Sequence, residues 1–314
     1  MGERPAPCLG ELRDRLSESM TGYSFVTDPT NRLADAYLEL VGRACLPSPS
    51  GLLVGSADGP PIWDGKKVYN YLQTHDVCLR SIMVLMHMTG GRGARIQEHL
   101  TLACSNTASR QRSIGIYNSE LFSITQHHKA SRRMNNEFQV ARFYPTLVAS
   151  LLYNYLVFIR PFTSILARRC LAIAPAPTTQ PTLLFTPMST AGGWTTQTFS
   201  NTLGQISASV LPSLPVQLNT HLYHQLYIAI SEKHVQGIAQ PFDQHNNQTR
   251  SAPCNIAFTW QSGHHLIQLS TTYGLDGAFS THLQPRLLQI YTVISTEWHA
   301  FLDICYSNPP LKED

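Results

Sequence analysis

The chain has 314 residues, of which 43% are hydrophobic, so it can bury the core of one large or two modest domains. Its formal net charge of +3 is too small to indicate nucleic-acid binding by itself. The seven cysteines are odd in number and never in C-x-x-C spacing, which disfavours a disulfide scaffold or a zinc knuckle and predicts reduced thiols in a reducing compartment.

Two further features predict a soluble intracellular protein. The N-terminus lacks the apolar core of a signal peptide, and Ala6 stands where a myristoylation signal requires serine or threonine. The most apolar run, residues 147–166, contains Asn154, Arg160 and Pro161. These residues favour a pair of buried helices over a membrane span.

The first 63 residues are expected to form an N-terminal helical segment and a linker. Residues 1–45 predict one or two helices, with turn chemistry at Asp28 and Pro29, and residues 46–61 are rich in proline, glycine and serine. A main domain is therefore predicted over residues 64–303, followed by a polar tail at 304–314.

A helix is predicted from Asp64 to the pair Gly90 and Gly91, which is a natural helix stop. A second helix follows, with Arg95 at its start. A guanidinium beside the free N–H groups of a helix N-terminus suits an anion. The alternative is an ordinary salt bridge between Arg95 and Glu98. Arg92, which lies within the glycine turn, is a weaker candidate.

Residues 112–117 and 121–125 predict a β-hairpin around Asn118 and Ser119. Lys129 follows its far end, either as an edge-strand solubiliser or as a mobile ammonium that reaches a phosphodiester. Between residues 79 and 133 there are eight basic residues and two acidic ones. This excess predicts a phosphate-facing surface or a solvated basic face. The basic residues are Arg80, Arg92, Arg95, Arg110, Arg112, Lys129, Arg132 and Arg133.

Further helices are predicted beyond the hairpin. One begins after Pro145 and breaks at Arg160 and Pro161, and another continues to about residue 173. Residues 174–187 predict a loop with one short strand, residues 194–210 an amphipathic helix, and residues 282–302 a helix with a broad apolar face. The expected fold is mainly α with a small β-hairpin or sheet, in the α+β class.

Two histidines, His221 and His224, lie one turn apart on a helix predicted after the N-cap residues Asn219 and Thr220. They are either packing or surface residues, or a pair of metal ligands. Near the C-terminus, His264 follows Gly263 and stands nine residues before Tyr273. Tyr273 is either a half-buried packing residue or a nucleophile.

Taken in order, these features resemble the catalytic domain of tyrosine recombinases over residues 64–303. The features are an arginine at a helix start followed by Gln97 and Glu98, a lysine near a hairpin, the H-x-x-H helix, and a Gly-His pair before a tyrosine. Within that family the chain is most similar to recombinase-like domains of fungal Crypton-type mobile elements and telomere-linked genes.

The resemblance implies a role for each matching residue. Arg95 would clamp the phosphate, Lys129 would be the general acid, and His221 would be the first member of the H-x-x-R box. His264, or its neighbour His265, would be the Gly-His histidine, and Tyr273 would attack a DNA phosphodiester without a metal or cofactor. Arg112, Arg132 and Arg133 would contact DNA.

One position departs from the family pattern, because His224 stands where the second arginine is expected. Histidine is only partly charged at neutral pH and offers one donor, whereas arginine is always charged and binds two oxygens. Loss of such a donor typically lowers the rate about 10²–10³-fold.

Two hypotheses therefore remain. The chain is a DNA strand transferase that works through a 3′-phosphotyrosine, or it is a catalytically degenerate DNA-binding module. A third hypothesis is a metal hydrolase that uses His127, His128, His221 and His224. The resemblance implies double-stranded DNA as partner, a homo-oligomer on DNA, no membrane and no small-molecule cofactor, and a nuclear or otherwise intracellular location.

Overall fold

The computed structural model describes residues 9–46, 51–54, 62–127, 138–170, 182–213, 215–235, 254, 257–258 and 285–302. In this part of the chain, helices surround a small antiparallel sheet, so the predicted α+β class is confirmed. The helices are α1 (Leu38–Ala44), α2 (Gly65–Thr89), α3 (Ile96–Leu100), α4 (Thr146–Cys170), α5 (Thr196–Val210), α6 (Thr220–His234) and α7 (Pro285–Phe301).

Local capping chemistry sets the ends of the helices that the sequence predicted. The Asp64 carboxylate accepts hydrogen bonds from the backbone N–H groups of Lys66 and Lys67 and begins α2, which ends at Gly90 as expected. The Asn219 side chain accepts from the N–H of Leu222 at the start of α6. The predictions for α2, α3, α5, α6 and α7 are confirmed.

The sheet has three antiparallel strands in the order β1 (Ile114–Tyr117), β2 (Glu120–His127) and β3 (Phe138–Phe143). Asn118 and Ser119 connect β1 to β2 with φ values of 47° and 66°, the left-handed conformation that a two-residue hairpin turn requires. The predicted hairpin is confirmed. The third strand was not predicted, and it pairs with β2 from Phe122 to His127.

The predicted helix break at Arg160 and Pro161 is wrong, because α4 continues through the proline. Residues Tyr155–Ile159 adopt π-helical geometry, and the N–H of Arg160 donates to the carbonyl of Tyr155. This widened turn accommodates a residue that lacks an N–H group. By length and composition α4 could cross a membrane, but half of its most apolar stretch is buried in a fold built like that of a soluble globular protein.

The N-terminal segment packs against the same core as the rest of the chain. Residues 9–46 contain one helix, α1, and two short 3₁₀ turns, in agreement with the expectation of one or two helices. Phe25 is buried in the main cluster together with residues of α2, the sheet and α7, and Leu12 and Leu16 pack against it. Residues on both sides of the predicted division between residues 63 and 64 therefore contribute to one cluster of buried side chains.

Candidate functional site

A cavity of about 310 Å³ lies where the start of α3 faces the start of α6. Each helix contributes the basic residue that the sequence singled out: Arg95 from the α3 side and His224 from the α6 side. These two side chains are distant in sequence, and the fold brings them to one cleft. The residues that line it are His87, Gly93, Ala94, Arg95, Ile96, Thr220, Tyr223, His224 and Tyr227.

Arg95 is the N-cap residue of α3, with extended backbone that turns the chain into the helix. Its side chain is partly exposed, and its Nη1 lies 3.7 Å from the Glu98 Oε1. The salt bridge considered as an alternative is thus present as a long contact. The Arg95 side chain is 36% exposed and borders the cleft, so an anion in the cleft can approach it.

The α6 side of the cleft begins at Thr220, the first residue of that helix. His224 follows one turn later and is half-buried, whereas His221 is exposed. The N-terminal N–H groups of a helix carry partial positive charge, so the first turn of α6 adds to the positive potential of Arg95. His221 does not line the cleft.

The floor of the cleft is a buried imidazole, His87, near the end of α2. The His87 ring lies 4.9 Å from the Phe199 ring, 5.5 Å from the His99 ring and 5.6 Å from the Tyr223 ring, measured between centroids. Burial lowers the pKa of His87 well below its usual value, and the positive charge of the nearby Arg142 lowers it further. His87 is therefore neutral at pH 7.

His99, behind His87, is fully enclosed and bonded to the backbone. Its Nε2 lies 2.9 Å from the carbonyl oxygen of Met83, to which it can donate. Burial lowers the pKa of His99 to about 4, so this imidazole is also neutral at pH 7. The fixed charge of the site consequently comes from arginines rather than from histidines.

A second, buried arginine holds the turn that precedes Arg95. The Arg142 side chain, on β3, donates through Nε to the carbonyl of Arg92 at 3.1 Å and through Nη1 to the Thr125 hydroxyl at 2.7 Å. Burial lowers the pKa of Arg142 from 12.5 without making it neutral at pH 7. Arg142 thus fixes the 90–93 turn and adds positive potential behind the cleft.

The remaining predicted site residues fall into two groups. Lys129, Arg132, Arg133, His264 and Tyr273 lie outside the described residues, as do His128 and His265. Arg112 is described, and it is buried: its guanidinium pairs with the Asp14 carboxylate at 2.5 Å and lies over the Tyr23 ring. The DNA-contacting role assigned to Arg112 is therefore corrected, because its charge is used to hold the N-terminal segment.

No group of three or more histidine, cysteine, aspartate or glutamate side chains that could hold a metal ion occurs within the described ranges. For the metal-hydrolase hypothesis, this means that His221 and His224 have no third metal ligand among the described residues. The side chains of His127 and His128, the other two histidines of that hypothesis, lie outside the described part of the structure. The arrangement of neutral imidazoles around one partly exposed arginine is suited to binding an anion.

Compared with family models, curated proteins and solved structures, the chain matches none of them. A functional conclusion therefore depends on the chemistry of the cleft and on the residue pattern of the chain.

Sequence reasoning missed His87, Tyr223, Tyr227 and Arg142. His87 lies in the apolar run VLMHMT, where a single histidine is easily taken for a packing residue. Arg142 carries a clearer signal, since a charged residue inside the strand-like run FQVARF must find buried partners if its face of the strand is covered. Predicting β3 from the sequence would therefore have identified Arg142 as a candidate site residue.

Proposed function

We propose that this chain is a DNA strand transferase of the tyrosine-recombinase type, which breaks and rejoins DNA through a phosphotyrosine at Tyr273. The observation that carries the proposal is the meeting of Arg95 and His224 in one cleft. These are the two positions that the resemblance assigns to the phosphate clamp. They come from different helices, and their convergence did not follow from sequence spacing.

The size and charge of the cleft support a phosphodiester as ligand. Its volume of about 310 Å³ lies at the lower end of the range for small-ligand sites, about 300–1,000 Å³. Arg95 supplies a planar fork of donors that matches two phosphate oxygens. The first turn of α6 points its partial positive charge to the same space.

In the proposed reaction the Tyr273 oxygen forms a bond to phosphorus while the bond from phosphorus to the 5′-oxygen breaks. The tyrosine proton passes to a base, for which the resemblance names His221 although that side chain does not line the cleft, and Lys129 delivers a proton to the leaving 5′-oxygen. Arg95, His224 and His264 meet the negative charge that develops on the phosphate oxygens. Religation is the reverse of these steps.

A DNA-binding module that has lost turnover is the second candidate, and two observations favour it. His224 replaces an arginine that would bind two oxygens, and the Glu98 carboxylate lies near Arg95 and competes with a phosphate for it. This candidate predicts salt-dependent binding to duplex DNA without a covalent product. A homo-oligomer on DNA and a nuclear location belong to either candidate and are proposals from the resemblance.

A nicked duplex of mixed sequence tests the proposal, because a break opposite the cleavage point traps the covalent intermediate. We expect a denaturant-resistant protein–DNA adduct that is absent in Tyr273→Phe, reduced in Arg95→Gln and increased in His224→Arg. Arg43→Gln is the matched control, since Arg43 is an exposed arginine paired with Glu39 on α1. DNA binding without an adduct, in both the native protein and His224→Arg, would support the second candidate.

A further inference from the structure

We infer that His87 is a further phosphate-binding residue of the cleft, and that its buried imidazole donates a hydrogen bond that compensates for the missing second arginine. This inference rests on the proposed phosphate cleft and names a residue that the family pattern does not contain. It concerns phosphate binding and does not require that the protein cleave DNA.

The first argument is the position of the ring. His87 lines the same cavity as Arg95 and His224, although its side chain is 7% exposed. A polar side chain that is buried against a cavity contacts whatever occupies that cavity. His224 lines the same cavity, so both imidazoles border one ligand space.

The second argument is the unmet hydrogen bond. The Nδ1 atom of His87 is buried and has no hydrogen-bond partner among the described residues. Buried polar atoms in folded proteins are nearly always bonded, and an exception indicates a ligand, a water or a functional role. His99, the neighbouring buried imidazole, satisfies its Nε2 at the Met83 carbonyl, so of these two adjacent rings it is His87 that has an unmet nitrogen. Among the described residues, the His75 Nε2 and the hydroxyl of Tyr227, which also lines the cleft, lack a partner as well.

The third argument is the rigidity of the ring. Phe199 and Tyr223 pack against it, and Gly93 lies so close that an added Cβ would stand 2.7 Å from the His87 Nε2. The imidazole is therefore held in place before a ligand arrives. A preorganised neutral donor binds a phosphate oxygen without the cost of burying a second full charge.

The test uses the full-length protein with ¹⁵N-labelled histidine and inorganic phosphate as the probe. We expect phosphate to shift a ring-nitrogen resonance of His87, in the native protein and equally in Tyr273→Phe, and to do so weakly in Arg95→Gln. Phosphate that saturates the protein without moving either His87 nitrogen would overturn the inference, as would a failure to bind phosphate at all.

Substitutions of His87 separate a donor from a packing role. Asparagine places an amide where Nδ1 stands, glutamine places one near Nε2, and leucine fills the space without a donor. We expect His87→Leu to bind phosphate about 10- to 100-fold more weakly, the effect of losing one hydrogen bond to a charged group, and one of the two amides to restore binding. Thermal unfolding of each variant reports the packing contribution independently.

Equal phosphate affinity in His87→Leu and the native protein would overturn the inference, and so would an equal loss in all three variants. The proposed function is tested separately, because its failure would be seen as the absence of a covalent adduct on nicked DNA. A protein that binds phosphate through His87 and forms no adduct would retain this inference and support the DNA-binding candidate.

Discussion

The buried ion pair between Arg112 and Asp14 yields a quantitative prediction about the N-terminal segment. Replacing Asp14 with alanine removes the partner of a guanidinium whose side chain is 4% exposed. The same carboxylate accepts a hydrogen bond from the Ile116 N–H at 2.9 Å, so one substitution leaves this N–H without its acceptor and the guanidinium without its counter-charge, with the Arg15 carbonyl at 3.0 Å as a remaining hydrogen-bond acceptor. We expect the N-terminal segment to detach from the sheet.

The magnitude follows from the burial of both groups. Removing one partner of a buried pair typically costs about 3–5 kcal/mol, a large part of a total stability of about 5–15 kcal/mol. Burial raises the pKa of Asp14 even though Arg112 opposes that shift, so desolvation outweighs the attraction within the pair. Replacing both residues with apolar ones, in Asp14→Leu with Arg112→Met, should therefore recover stability relative to Asp14→Ala.

Urea unfolding monitored by circular dichroism measures these free energies. The control is Glu39→Ala, which breaks the exposed pair with Arg43 in α1 and should cost about 0.3–0.5 kcal/mol. A loss below about 1 kcal/mol in Asp14→Ala would refute the buried pair. If Arg112→Gln left the free energy of unfolding unchanged and weakened DNA binding, Arg112 would instead be a DNA-contacting residue, as the sequence predicted.

Three further predictions concern pH and the cleft. Hydrogen bonds from Thr30 lower the pKa of Asp28 from 3.8 to about 2, so its stabilising contribution is complete above pH 3.8 and is lost as the pH falls towards 2; Asp28→Asn should remove that step from the stability–pH curve. Gly93→Ala should lower the free energy of unfolding in urea by about 1–3 kcal/mol and weaken phosphate binding, because the added Cβ would clash with the His87 ring. Gly193→Ala is the control and should be nearly neutral, because no atom lies within 4 Å of the position of its Cβ. Arg142→Lys keeps the positive charge, but a lysine cannot donate to both the Arg92 carbonyl and the Thr125 hydroxyl. The affinity for phosphate, measured by titration, should therefore fall. An unchanged affinity would contradict the role of Arg142 in positioning the turn.

Much of the local structure could be predicted from capping and turn residues. Asp64 and Gly90 set the ends of α2, and Asn118 with Ser119 set the hairpin, because these residues act through bonds to their own neighbourhood. The prediction at Pro161 was wrong because it also used only the local sequence, in which a proline usually ends a helix. The π-helical turn before Pro161 depends on how the whole of α4 packs.

Tertiary contacts account for what the sequence did not show. The charge of Arg112 predicted a surface role, and only the docking of the N-terminal segment reveals its burial. Likewise, Arg95 and His224 were predicted as separate positions from the resemblance, but the floor of their cleft is His87, whose burial depends on Phe199 and Tyr223 from two other helices. Nothing in the residues flanking His87 distinguishes it from an ordinary core histidine.

The measurement that tests the central claim most directly is identification of the residue joined to DNA. After incubation with nicked duplex, nuclease digestion and proteolysis, mass spectrometry should find a nucleotide remnant on the peptide that contains Tyr273, linked through the tyrosine oxygen. The remnant should disappear in Tyr273→Phe and diminish in Arg95→Gln. A remnant on another residue, or unmodified Tyr273 in an adduct that survives Tyr273→Phe, would contradict the account.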